Sequence, residues 1–227
     1  MAIYGISAVS STKEHHPSTQ WANWKNWQFM YWDRDAQVEK ELDLPKEFTV
    51  VAEGWSVKGY LQDKWGVFSN EIYSFANDIL TIRDGNGWII SEWLWKDIKE
   101  KTKALGLKLT KNIHYVGEDD LNTLKTLCIK GAWLKAWLDT FKDDNRNAPA
   151  FKRIKLSKVE EWKTWAVKYT FPVFEPASDL SAEDRQAQQT FGTAISNYIS
   201  STNTTVEEYK EQQAANAAAD EDSLPFN

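Results

Sequence analysis

Cysteine is almost missing from this chain. Cys128 stands alone among 227 residues, so no internal disulfide can staple the fold. A solitary thiol fits a reducing compartment, and a cytoplasmic setting is expected. Histidine is scarce as well. His15 and His16 fall in a loose N-terminal stretch and His114 in a strand-like one, with no second cysteine at ligand spacing. No metal and no cofactor are therefore expected. There is no phosphate-binding Gly-Lys-Ser/Thr loop, which argues against an ATP-driven motor. No apolar run approaches the ~20 residues of a membrane span, so no membrane association is expected. Residues 1–20 lack the charged start and apolar stretch of a signal peptide. The carboxylates fall into no nuclease or glycosidase pattern, and no catalytic residue is nominated.

An excess of positive charge is also lacking. The chain holds 27 basic and 33 acidic residues, net −6. The imbalance is local. From Asp179 onward there are nine acidic and two basic residues, which leaves residues 1–178 at net +1. The low isoelectric point thus belongs to the C-terminal part, and the body is not barred from a polyanionic ligand.

Tryptophan is present in quantity: thirteen residues, all between Trp21 and Trp165. A body of this size does not need so many to fill a core, so some are expected at the surface, where exposed indoles mark a ligand or partner. The spacing of Trp21, Trp24 and Trp27 is helix-like, whereas Trp27, Phe29 and Tyr31 alternate; a loop or helical turn leading into a strand is expected. Phe48 to Tyr60 reads as a long strand, with Gly54 and Gly59 as bulges or bends. Leu61 to Gly66 reads as a loop before a strand over Val67 to Phe75. Two strands, Ile79 to Arg83 and Trp88 to Trp93, flank the turn Asp84-Gly85-Asn86-Gly87. That turn resembles part of a calcium loop, but its twelfth position is Trp95 and not an acid. Leu94 to Leu105 predicts a helix closed by Gly106. Strands are expected over Leu107 to Val116 and Leu121 to Lys130, then a short amphipathic helix from Ala132 to Phe141. Phe151 to Val159 and Trp165 to Phe174 predict a final strand pair. Ser181 with Asp184 forms a capping-box pattern opening a helix to Tyr198, and Thr205 with Glu208 opens a second.

These readings predict a mainly β protein with a few helices (α+β). An OB-like barrel with insertions and a flexible acidic tail is expected, with a β-sandwich as the alternative. The domains are an arm over 1–20, a body over 21–176, a partly helical linker over 177–219 and an acidic tip over 220–227. Neither tail helix is apolar enough to demand a core.

Single-stranded nucleic acid is bound by flat aromatic faces interleaved with cations. The body offers Trp27, Trp55, Tyr60, Trp65, Trp88 and Trp165 for stacking, and Lys58, Lys64, Arg153, Lys155 and Lys168 for phosphates. Each of these aromatics taken singly is equally at home in a core. In the tip, Asp220, Glu221 and Asp222 precede the apolar Leu224, Pro225 and Phe226: the acids attract a basic pocket and the apolar residues supply burial.

The arrangement resembles the single-stranded-DNA-binding proteins of bacteria and phages, with an OB-fold body, a linker and an acidic tip ending in Pro-Phe. Pro225 and Phe226 are the matching positions, and Leu127 to Trp133 and Lys168 to Phe174 are similar in style to phage-type members. Two departures stand out: Asn227 follows the phenylalanine, and the linker is not rich in Gly, Gln and Pro. The resemblance implies a non-enzymatic, sequence-independent binder of single-stranded DNA acting in replication, recombination or repair, encoded by a phage or mobile element and working in the host cytoplasm. It implies that the tip recruits replication and repair proteins and competes with DNA for the body. Homo-oligomerisation is compatible with it. The rival readings are a carbohydrate-binding module and a phage-type protein-interaction or inhibitor module.

Overall fold

The computed structural model describes residues 15–25, 27–61, 65–164, 167–211 and 214. Eleven strands and four named α-helices follow one another: β1 (Gln20–Lys25), β2 (Gln28–Asp33), β3 (Val38–Glu41), β4 (Phe48–Leu61), β5 (Trp65–Ser69), β6 (Leu80–Asp84), β7 (Ile89–Trp93), α1 (Trp95–Ala104), β8 (Lys108–Gly117), β9 (Asp120–Ile129), α2 (Ala132–Thr140), α3 (Ala148–Phe151), β10 (Lys152–Thr164), β11 (Val167–Asp179) and α4 (Ala182–Thr202). The mainly β character matches the sequence reading.

The strands form one mixed sheet in the order β3-β2-β1-β9-β8-β4-β5-β6-β7. The long hairpin β10–β11 joins it through Ile154 opposite Phe48. The path is open: no described pairing joins β3 to β7, so the closed barrel expected from the sequence is not seen among the described strands. The β3 edge is protected by composition, since Val38, Glu39, Lys40 and Glu41 are all exposed and three are charged. No helix among the described residues is long and apolar enough to cross a membrane.

Alternation in β1, β9, β8 and β4 divides the central sheet into two unlike faces. One face carries Ala22, Ile113, Tyr115, Leu127 and Ile129, which meet Phe48, Trp133, Trp137 and Phe174 in the largest core. Trp137 and Phe141 anchor α2 there as the sequence spacing predicts, and Trp137 Nε1 donates to Glu53 Oε1 at 3.0 Å. A second core gathers Val57, Val67, Ile72, Leu80, Ile82 and Ile98 under α1. Gly106 closes α1 with φ 72°, a conformation that favours glycine.

Several local readings are corrected. The helix-like spacing of Trp21, Trp24 and Trp27 belongs to a β-hairpin: Trp21 and Trp24 lie on opposite faces of β1, and Trp27 sits in the turn at φ 72°. The strand expected over Val67 to Phe75 ends at Ser69, because Asn70 turns the chain, its side chain donating to the Ile79 carbonyl and accepting from Thr81 N. The arm expected over 1–20 is held to the body at its described end, where Ser18 is buried and Thr19 N donates to the Leu124 carbonyl at 3.0 Å.

The helix at Ser181 is part of the body, not a linker. The capping box forms in full. Ala187, Ile195 and Ile199 pack on Val116 and Leu124, a third core on the opposite sheet face from α2. Asp184 is fully buried, accepting from Thr49 Oγ1 at 2.8 Å and pairing with Arg153 at 2.8 Å. Low mean apolarity concealed this docking, because one narrow apolar stripe and one buried ion pair suffice.

Candidate nucleic-acid interface

The face opposite the largest core is polar along most of its length. Its register sets Ser56 and Lys58 of β4 beside Thr110 and Lys108 of β8, and Asn112 beside Cys128 of β9. One end of this face is apolar and covered by α4. The middle is a row of buried polar groups: Ser56, Thr110, Asn112, His114 and Thr126. The far end gathers Lys58, Lys108 and Lys130.

These lysines set the electrostatics. Lys58 and Lys108 are direct cross-strand partners, an arrangement of like charges that costs stability. Lys130 follows the end of β9. None of the three forms an ion pair among the described residues. Lys58 Nζ lies 3.0 Å from Cys128 Sγ and 4.4 Å from the centre of the Trp21 ring, two weak substitutes for a carboxylate. Burial pushes the Lys130 ammonium below its ordinary pKa, and the Lys108 and Lys58 charges push the same way against an opposing pull from Cys128.

Two contiguous depressions, of about 530 and 770 Å³, share Trp24, Lys108 and Lys130 and so form one groove. Toward one side it passes Lys58, Tyr60 and Phe68. Toward the other it passes Trp133, Trp162 and Tyr169. Tyr60 is 68% exposed and Trp162 53%, so both offer ring faces. Trp162 and Tyr169 are cross-strand partners on the β10–β11 hairpin, which brings two aromatic side chains together. Trp24 Nε1 ties that hairpin to β1 by donating to the Thr170 carbonyl at 3.0 Å. Trp133 lines the groove, and its Nε1 is buried without a hydrogen-bond partner. Beyond Trp162 an adjoining hollow is lined by Glu160, Glu161, Asp139 and Lys135, and its carboxylates are paired with lysines.

Of the site residues chosen from the sequence, Lys58 and Tyr60 lie together in this groove. Trp27 is exposed at the β1–β2 turn and Trp88 at the β6–β7 turn. Trp55 is packed beside the second core, 5.0 Å from Phe75, with Lys111 Nζ 4.6 Å from its ring centre. Three basic choices face carboxylates elsewhere: Arg153 pairs with Asp184 and Glu118, Lys155 with Glu175 and Lys168 with Glu161. Lys64, Trp165 and the tip residues Asp220, Glu221, Asp222, Leu224, Pro225 and Phe226 lie outside the described residues, as does the side chain of Trp65.

Sequence reasoning missed Lys108, Lys130, Trp24, Phe68, Trp162 and Tyr169 as a group. A local signal existed for the lysines: Lys108, Thr110, Asn112 and His114 alternate with apolar or paired residues along β8, which marks a polar face. Their convergence depends on strand order. No family model, curated protein or solved structure matches the chain.

Proposed function

We propose that this protein binds single-stranded DNA without strong sequence preference, in the groove lined by Lys58, Lys108 and Lys130. The observation that carries this reading is the lysine trio. Two of its members are opposed across neighbouring strands, and none has an acidic partner among the described residues. Other lysines, among them Lys46, Lys96, Lys99 and Lys125, also lack an ion pair among the described residues; the trio is set apart by its convergence on one groove, with two members directly opposed. A polyanion relieves the repulsion here, since each phosphate met by a lysine releases condensed counterions. Tyr60, Phe68, Trp162 and Tyr169 flank the cations with ring faces, as base stacking requires. Flexible lysines meeting a backbone, with rings meeting any base, favour a sequence-tolerant binder. A glycan would use the rings but leave the charges unanswered.

The reading does not depend on a closed OB-like barrel. The resemblance in the C-terminal tip supports a role in replication, recombination or repair, with Asp220 to Phe226 recruiting partner proteins. Tryptophan-fluorescence titration with oligo(dT) at rising salt, with duplex DNA as comparison, tests the binding. Quenching by the single strand, weaker binding of duplex and loss with salt are expected. No response to oligo(dT) at low salt, in the full chain or in one lacking residues 212–227, overturns the reading.

A further inference from the structure

A second group of side chains lies on the same sheet face, deeper than the groove. His114 of β8 is fully buried, and Glu71, between β5 and β6, is nearly so. Glu71 Oε1 is 2.7 Å from His114 Nε2, and Glu71 Oε2 is 3.8 Å from His16 Nε2. Ligand atoms of the three residues all lie within 4.8 Å of one another. Both His16 Nε2 and Glu71 Oε2 are buried without a hydrogen-bond partner. Gly54 makes room for this: a β-carbon there would stand 1.8 Å from Glu71 Oε1.

Hydrogen-bond accounting calls for a positive charge, a proton or a metal ion, between His114 and Glu71. Ser18 Oγ donates to the Gln20 carbonyl and accepts from Thr126 Oγ1. Thr126 has then used its single proton, so its oxygen accepts from His114 Nδ1 at 2.8 Å. With Nδ1 protonated, a neutral His114 aims the Nε2 lone pair at a carboxylate oxygen 2.7 Å away. Two lone pairs cannot meet at that distance unless a proton or a metal ion lies between them. A proton answers this one contact and leaves His16 Nε2, which carries the ring proton while Nδ1 accepts from Ser18 N, 3.8 Å from Glu71 Oε2 and too far for a hydrogen bond. A metal ion joins His114 Nε2, the Glu71 carboxylate and His16 Nε2 at one point, in exchange for the Ser18 N bond to His16 Nδ1.

We propose that His16, Glu71 and His114 form a binding site for a divalent transition-metal ion of zinc-like coordination chemistry. Two imidazoles and one carboxylate are a known zinc ligand set, with bonds of about 2.0–2.2 Å and a fourth position left for water. The 3.8 Å gap between His16 and Glu71 admits an ion bonded to both. The Glu71–His114 contact opens to about 3.3 Å, the edge of a tetrahedron with those bond lengths. Thr126 acts as the outer partner that holds the His114 tautomer, as metal-bound histidines require. One existing bond yields: Ser18 N donates to His16 Nδ1 at 2.9 Å, and ligation through Nε2 moves the proton to Nδ1. His16 therefore shifts on binding, and the ion clamps the segment before β1 to the core. The His16 ring lies 4.6 Å from Trp21, so indole fluorescence senses the event.

The test uses the full chain, stripped with a chelator and titrated with Zn²⁺ by calorimetry and with Co²⁺ by visible absorption. Binding of one ion per chain, a tetrahedral Co²⁺ spectrum, a change in tryptophan emission and a higher denaturation midpoint are expected. H16A should abolish tight uptake while circular dichroism stays native, because His16 precedes the first strand. T126V, which keeps all three ligands, should weaken uptake about 10–100-fold. Absence of uptake by the stripped wild-type chain overturns the proposal, as does uptake of equal affinity in H16A and E71Q. Should E71Q not fold, H16A alone decides.

Discussion

Replacing Lys58, Lys108 and Lys130 together by glutamine should change affinity and stability in opposite directions. If each lysine meets one phosphate, each contributes about 0.7 to the slope of log K against log salt for a single strand. The triple variant should therefore lose about 2.1 from that slope. Between 50 and 200 mM salt the wild-type advantage should shrink roughly eighteen-fold, the fourfold salt ratio raised to that power. Stability should move the other way. Lys58 and Lys108 are directly opposed, and relief of a like-charge pair gains roughly 0.2–1 kcal/mol. In a chain of this length, 1 kcal/mol shifts the melting temperature by about 2–4 °C, so a rise of up to that size is expected. Oligo(dT) titrations at four salt concentrations and a thermal melt of both proteins measure the two effects. An unchanged salt slope refutes the assignment of phosphates to these lysines. A fall in melting temperature refutes the claim that their juxtaposition is a cost tolerated for binding.

Truncation of Tyr60 or Trp162 to alanine should weaken oligo(dT) binding by about 1–3 kcal/mol each through lost stacking. W32A, which removes an equally exposed indole on β2, should leave affinity unchanged in the same titration. D184A should cost about 3 kcal/mol in urea unfolding, because Arg153 loses its buried partner and keeps only Glu118. Burial raises the pKa of Asp184, but bonds from Ser181 N, Arg153 and Thr49 outweigh it and hold the carboxyl below its ordinary value. A depressed folded pKa stabilises the fold above the unfolded pKa of about 4, and that contribution is lost as pH falls through the folded value. Urea midpoints measured from pH 6 downward should thus fall in the wild type and converge on those of D184A. Deleting residues 212–227 should preserve the fold and strengthen DNA binding at low salt by removing acidic competitors. Deleting 179–227 should unfold the protein, since it strips Ile195 and Ile199 from the third core; a native melt for the longer deletion would contradict the docking of α4.

Much of the local structure was legible along the chain because its causes are local. The run from Phe48 became β4, Asp84-Gly85-Asn86-Gly87 became the β6–β7 turn, Trp133 and Trp137 turned α2 inward, and Ser181 with Asp184 capped α4. Turn chemistry, capping and apolar periodicity all act within a few residues. Helical spacing failed at Trp21, Trp24 and Trp27 because pairing with β9 and β2 overrode a weak periodic signal. Which charges are free was not legible. Arg153, Lys155 and Lys168 looked as available as Lys58, yet Asp184, Glu175 and Glu161 stand beside them in space. The sequence by itself determined most strand and helix segments from Phe48 onward, the aromatic wealth of the body and the acidity of the C-terminal part. Only the tertiary structure brought Lys58, Lys108 and Lys130 to one rim, and His16, Glu71 and His114 to one point. Both groups assemble residues tens of positions apart, and strand order, which sets such meetings, arises from long-range pairing that no local pattern encodes.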